Sequence, residues 1–155
     1  MLTTAIKNAI DQCVLCWLAT VNAAGQPNVS PKEMFTYVDD EHLVIANIAS
    51  PNSIKNIRQQ SRVGVSFVDV FVQKGFQLKG TARIIKTNEA DFAAKANKLQ
   101  IMAGEAFPFK MLIDIKVNEV AEIIAPRYRF YPATTEAEQI KSAMQTYGVQ
   151  PLKNS

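Results

Sequence analysis

The stretch FQLKGTARI, residues 76–84, alternates without a break. Phe76, Leu78, Gly80, Ala82 and Ile84 fall on one side, and Gln77, Lys79, Thr81 and Arg83 on the other. A two-residue period is that of a β-strand with one face in a core and one toward solvent. Immediately upstream, Val63 to Val72 reads as a further strand. Beyond it lie Leu43 to Ile48, then Asn28 to Val38 with an interruption expected at Pro31, then Val14 to Val21. That first run is apolar on both faces, which predicts a strand covered on both sides. Downstream, Met111, Ile113, Ile115 and Val117 alternate with Leu112, Asp114, Lys116 and Asn118. Six strands are therefore expected. They are separated by turn residues such as Ala23-Ala24-Gly25-Gln26 and Asp39-Asp40, not by regular crossover helices. Hairpins in this order argue against a doubly wound parallel sheet. A mainly β fold, an antiparallel barrel closed or partly split, is the economical arrangement because closure removes exposed strand edges.

The helices are appended to this frame. Leu2, Ile6, Ala9 and Cys13 recur at helical spacing, predicting a helix over residues 2–12. Ser50 before Pro51 reads as an N-cap and first-turn proline for a short helix to about Gln60, with Ile54 and Ile57 on its buried face. Asn88 is placed to cap a helix whose Phe92, Ala96, Leu99 and Ala103 share a face. The segment PRYRFYP, residues 126–132, reads as irregular and aromatic. Thr135 and Glu138 form a capping-box pattern before a last helix with Ala137, Ile140, Met144 and Tyr147 on one face, ended by Gly148.

The bulk composition narrows function by exclusion. The chain has 155 residues, 48% of them hydrophobic and 20% charged, enough for one ordinary domain with a real core. A formal charge of +3, with no Lys/Arg cluster, gives no footprint for nucleic acid. No apolar run reaches the ~18 residues of a membrane span, and the amphipathic start lacks the apolar centre of a signal peptide, so a cytoplasmic protein is expected. Cys13 and Cys16 are spaced as C-x-x-C. No second pair exists, and the single histidine, His42, lies far along the chain among Asp39, Asp40 and Glu41. The spacing also suits a redox pair or half a metal site, but buried, structural cysteines and a surface histidine are expected. No catalytic dyad and no Gly-rich dinucleotide motif after a strand is present.

The chemistry-bearing feature is the turn after the third strand. A helix beginning at Pro51 offers unpaired backbone N–H groups and the positive end of its dipole. Ser50, Asn52 and Ser53 add side-chain donors, and Lys55 adds charge. These residues suit a phosphate cradle. The same residue types also serve simply as helix caps.

The wording and order of several segments resemble the pyridoxamine 5′-phosphate oxidase-like family, the FMN-binding split barrels. The pieces are Leu18-Ala19-Thr20-Val21 with Gly25-x-Pro27, Ser30-Pro31-Lys32, Asn47-Ile48-Ala49-Ser50-Pro51 with Asn56-Ile57, Arg62-Val63, and Lys79-Gly80-Thr81-Ala82-Arg83. The resemblance covers about residues 10–125. It implies one domain over residues 1–155, with a six-stranded antiparallel split barrel over about 10–125 and a C-terminal tail and helix over 126–155. It further implies a homodimer with FMN at the subunit interface. In that family the flavin ring lies along the second strand, corresponding to Ser30, Pro31, Lys32 and Glu33. Ala46, Asn47 and Ile48 correspond to the end of the third strand, and Ser50, Asn52, Ser53 and Lys55 to the phosphate turn. Gln77 and Lys79 are the candidates on the long alternating strand. Lys32 and Lys79 also have a plainer reading as solvated strand lysines.

Two departures bear on function. Asn52 stands where family members commonly carry Lys or Arg, so the phosphate's countercharge is expected from Lys55, Lys32 or another subunit. The Arg-x-His motif that closes the substrate site in true pyridoxamine phosphate oxidases is absent. The tail instead offers Arg127, Tyr128, Arg129 and Tyr131 to cover a flavin, bind an anionic substrate or seal the barrel. The functional expectation is a flavin-dependent oxidoreductase acting on a small molecule. The alternatives are a non-catalytic flavin or electron carrier, or a binder of another planar cofactor such as F420 or haem.

Overall fold

The computed structural model describes residues 1–152. In chain order it contains α1 (Thr4–Gln12), β1 (Cys16–Val21), β2 (Pro27–Lys32), β3 (Phe35–Tyr37), β4 (His42–Ala46), α2 (Pro51–Gln59), β5 (Arg62–Asp69), β6 (Lys74–Lys86), α3 (Phe92–Ala103), β7 (Met111–Ile124), α4 (Pro126–Phe130) and α5 (Glu136–Tyr147). The strands form one antiparallel sheet in the order β2-β1-β5-β6-β7-β4-β3.

The sheet's two edge strands, β2 and β3, are neighbours in the chain and are separated only by Glu33 and Met34. A flat seven-stranded sheet would hold its edges roughly 29 Å apart. The Cα atoms of Lys32 and Phe35 can be no more than about 11 Å apart. The sheet must therefore curl until its edges nearly meet, which makes it a split barrel. The expected second strand, residues 28–38, thus becomes two, and the count is seven instead of six. The break falls at Glu33-Met34 and not at Pro31. Pro31 pairs with Trp17 inside β2, an edge strand on which a missing N–H leaves no ladder bond unmade.

The interior is filled by the inward positions of the alternating strands. Leu18, Leu43, Ile45, Val65, Phe67, Leu78, Ile113 and Ile115 are all buried there. The helix α1 contributes Leu2, Ile6 and Ile10 to the same core, and α2 contributes Ile54 and Ile57. Inside it, Asn56 Nδ2 donates to Thr20 Oγ1 at 3.0 Å, which ties α2 to β1 through two buried polar groups. A second, smaller core lies outside the barrel, where Phe92, Ala96 and Leu99 of α3 cover Val44, Ala46, Ile85 and Leu112. Buried Asp114 pins α3 there, because its Oδ2 accepts from Lys95 Nζ at 2.6 Å and from Arg83 Nε at 3.1 Å.

Several local expectations change. The strand β1 is covered on one face only: Cys16, Leu18 and Thr20 are buried, but Trp17 is 48% exposed. The N-cap of α3 is Asp91 and not Asn88, since residues 87–91 form a turn in which Glu89 Oε1 accepts from the Lys86 N–H. Residues 126–130 are helical, started by Pro126 in the first turn. The capping box of α5 is present, with Thr135 Oγ1 accepting from the Glu138 N–H, and Gly148 ends the helix at φ 65°. Its buried stripe is shifted, however, and the buried residues are Gln139 and Ala143.

Two glycines on the long hairpin permit backbone contact that no side chain allows. A Cβ at Gly75 would overlap the Phe67 carbonyl oxygen and lie 2.8 Å from Val68 Cα. At Gly80, beside the β6–β7 bulge, it would overlap the Lys116 carbonyl oxygen and lie 2.9 Å from Ile115 Cγ2. Gly75→Ala and Gly80→Ala are each expected to destabilise the fold by about 1–3 kcal/mol through overpacking. Urea unfolding monitored by far-UV circular dichroism measures this, and wild-type midpoints would contradict these contacts.

Candidate functional site

Where β2 ends, Ser30, Pro31 and Lys32 lead into the Glu33-Met34 break. Where β4 ends, Ala46 leads through residues 47–50 into α2. A cleft of about 450 Å³ opens between these two segments, lined by residues 30–34, Ala46, residues 48–50, Leu15 and Phe107. Its size is that of a small-molecule or cofactor pocket.

Lys32 governs the chemistry of this cleft. It sits opposite Cys16 on the inward side of the β1–β2 pair and is 7% exposed. Its ammonium donates to Ser30 Oγ at 2.7 Å and to Ser50 Oγ, and so bridges the seam from β2 to the turn before α2. Burial in low dielectric disfavours its charged form and draws its pKa below the ordinary 10.5, with the neighbouring Cys16 thiol opposing the shift. The geometry supplies a desolvated cation with a third donor direction to offer a ligand.

Ser50 shows a linked departure from the sequence reading. Its side chain makes no cap bond to α2 because the hydroxyl is engaged by Lys32. The first intrahelical bond runs from the Ile54 N–H to the Ser50 carbonyl at 3.3 Å. The N–H groups of Asn52 and Ser53 therefore precede the ladder and lack a side-chain cap.

Of the residues singled out from the sequence, the fold brings Ser30, Pro31, Lys32, Glu33, Ala46, Ile48 and Ser50 to this one cleft. Asn47 lies beside it, in an adjoining recess with Ser50, Lys55, Arg58 and Met111. Its N–H donates to the Met111 carbonyl at 3.0 Å, and its Oδ1 is buried without a partner among the described residues. Asn52 and Lys55 open onto a third recess, shared with Asn22, Gln26 and Asn28. Ser53 is 1% exposed, with its hydroxyl unpartnered among the described residues. Gln77 and Lys79 lie on the outer face of β6, where Lys79 Nζ pairs with Glu119 at 2.9 Å, and neither lines the cleft.

In the tail, Tyr128 donates its hydroxyl to the Val72 carbonyl at 2.8 Å, and Lys74 lies 4.6 Å from its ring centre. The tail thus packs on the β5–β6 turn, with Arg127 and Arg129 exposed. Leu15, Met34, Ala49 and Phe107 were missed by sequence reasoning. Leu15 and Ala49 carry no chemical signal, Met34 falls in the middle of an expected strand, and Phe107 stands in a loop without a motif.

His42 binds Asp39 through Nδ1 at 2.9 Å. It begins β4, roughly 13 Å along the strand from Ala46 at the cleft. Cys13 and Cys16 are both free and buried. Burial pushes the Cys13 thiol up to about 11, helped by Asp69, and the Cys16 thiol up to about 12 despite nearby Lys32. Among the described residues no cluster of three or more His, Cys, Asp or Glu is placed to hold a metal, and no helix is long and apolar enough to cross a membrane.

The family model for pyridoxamine 5′-phosphate oxidase matches residues 2–124, which spans the whole barrel. The chain belongs to this family. A comparison with curated proteins gave no significant match. Among solved structures, HupZ of Group A Streptococcus is similar at 26% identity and TM-score 0.67, over 79% of this chain and 94% of HupZ. A candidate pyridoxamine 5′-phosphate oxidase of Lactobacillus delbrueckii is similar at 28% identity and TM-score 0.64, over 77% of this chain and 93% of that one. HutZ, the haem storage protein of Vibrio cholerae, shares the fold at 18% identity and TM-score 0.64, over 79% of this chain and 94% of HutZ. The family's split barrel is thus present here.

The two thiols give a direct check on the site's packing. At pH 7.5 less than about one part in a thousand of either is thiolate in the native state. Neither is expected to react with iodoacetamide within minutes in native buffer, and both are expected to react in denaturant. Mass spectrometry of the alkylated protein counts them, and rapid native labelling would contradict the burial.

Proposed function

We propose that the cleft binds FMN and that the protein acts, as a homodimer, as a flavin-dependent oxidoreductase on a small molecule. The observation that carries this is the buried Lys32 ammonium, bridging Ser30 and Ser50 beside the uncapped start of α2. A planar ring fits along residues 30–33, and an anionic group fits the Lys32 cation beside the start of α2. Lys32 then offers the charge that Asn52 does not. A bound flavin would supply the redox chemistry, and the chain's residues would orient it and set its electrostatics. Buried, unpaired Cys13 and Cys16 accord with a reducing, cytoplasmic setting.

A second copy is the partner that best fits the exposed apolar strip on β1 and β2. Trp17 is 48% and Val29 58% exposed, and Trp17 pairs directly with Pro31, which also lines the cleft. A copy seated on this strip would close the cleft from outside. Haem is favoured less, because the single histidine begins β4 at the end away from the cleft. An F420 reductase and an FMN-binding protein of Syntrophomonas wolfei share the fold, so both cofactors belong in the test. A non-catalytic flavin carrier differs from an oxidoreductase only in turnover.

The test is a titration of the protein with FMN, F420 and haem, followed by addition of NADH or NADPH to the loaded form. FMN fluorescence is expected to quench saturably, and steady oxidation of the nicotinamide would distinguish enzyme from carrier. No change on FMN addition would sink the proposal. Lys32→Met is expected to weaken FMN binding about tenfold or more, the scale of a charged hydrogen bond.

The pH dependence follows in sign. Anion binding favours charged Lys32, so affinity is expected to fall as pH rises through its depressed pKa, below 10.5. Stability of the ligand-free fold moves the opposite way, rising over that range up to 10.5, because the native state disfavours the charged form. Both trends should flatten in Lys32→Met. For the dimer, Trp17→Glu is expected to give a monomer by light scattering with weakened FMN affinity, whereas an unchanged mass would reject this interface.

A further inference from the structure

The loop between α3 and β7, residues 104–110, contains two phenylalanines with opposite fates. Phe109 turns into the outer core, packs against it and has its ring centre 6.2 Å from that of Phe92. The loop's end is fixed by the Thr87 N–H donating to the Lys110 carbonyl at 3.2 Å, and by the Asn47 N–H donating to the Met111 carbonyl. Through that last bond the loop lies directly beside the β4–α2 turn. Pro108 then restricts the backbone between the two aromatics. Phe107 is left 52% exposed, and its side chain forms part of the wall of the seam cleft, along with Pro31, Met34 and Ile48. With Pro31, Met34 and Ile48 it gives the cleft an apolar wall with one aromatic ring in it.

We infer that Phe107 is the aromatic cover of this cleft, packing on a planar heteroaromatic ring held along β2 and so favouring ring ligands over aliphatic ones. This inference rests on the proposed cofactor reading of the same site. Its physical basis is separate from that of Lys32: the lysine addresses an anion, and Phe107 addresses a π-face. Aromatic pairs add about 0.5–1.5 kcal/mol beyond burial. That corresponds to about two- to twelvefold in affinity.

The experiment uses the full chain as wild type, Phe107→Ala and Phe107→Trp, each titrated with FMN. Two readouts are taken, the dissociation constant and the fluorescence of fully bound flavin. An indole in contact with an excited flavin quenches it by electron transfer, whereas a phenyl ring does so weakly. Phe107→Ala is expected to bind FMN at least about twofold more weakly than wild type, since lost burial adds to the lost aromatic contact. Phe107→Trp is expected to bind near wild-type affinity and to lower the bound flavin's fluorescence well below the wild-type value. Wild-type affinity in Phe107→Ala, or undiminished bound fluorescence in Phe107→Trp, overturns the role of Phe107 while leaving the Lys32 site standing. Failure of the wild type to bind FMN overturns the cofactor reading and this inference together.

Discussion

Everything in this fold follows from the two residues that carry the chain from one edge of the sheet to the other. Glu33 and Met34 leave β2 and β3 no freedom to stand apart, so a seven-stranded sheet has to close on itself. Closure creates the interior that Leu2, Ile6, Ile10, Ile54 and Ile57 fill from the helices. It also creates a seam at which the ladder is interrupted. A seam is a place where backbone groups, side chains and solvent meet without a neighbouring strand to exclude a ligand. The cleft lies along it, and residues 30–34 line the cleft because they are the seam.

Lys32 shows what that position does to a side chain. On the inward face of β2 it would enter the apolar core, as Leu18 does one strand over. At the strand's end its stem instead spans the seam, and Ser30 and Ser50 take two of its three donors. The amine stays buried without being fully satisfied. A charge in that state is poorly solvated by the protein alone and gains most from an anion. The same bond removes Ser50 from capping α2, so cation and helix start are left under-satisfied at one turn. Asn52, lacking charge, then costs the site little if Lys32 supplies it from the other strand.

The alternating strands were legible because their period is a backbone property. Phe76 to Ile84 alternate in the structure as in the sequence, and Thr135 with Glu138 caps α5 through local geometry alone. Legibility failed where long-range contacts decide. The division of residues 28–38 depends on which edge each half joins, and pairings with β1 and β4 are not written locally. Ser53 carries the chemistry of a phosphate ligand, but the turn of α2 buries it. Phe107 reaches the cleft wall through contacts distant in sequence, among them the bond from Asn47 to Met111, sixty-four residues later in the chain.

The outer face of the sheet divides the molecule's remaining problem. One half is covered from within the chain, where α3 lays Phe92, Ala96 and Leu99 over β4 and β7, with Asp114 fixing the contact. The other half, β1 and β2, receives no such helix and presents Trp17 and Val29 to solvent. A sheet face left apolar next to one so covered is unbalanced in a lone chain, and the twofold pairing proposed above would restore the balance. Because Pro31 belongs both to that strip and to the cleft wall, any such pairing acts on the pocket as well. Assembly and ligand binding then share a residue, and each is expected to favour the other.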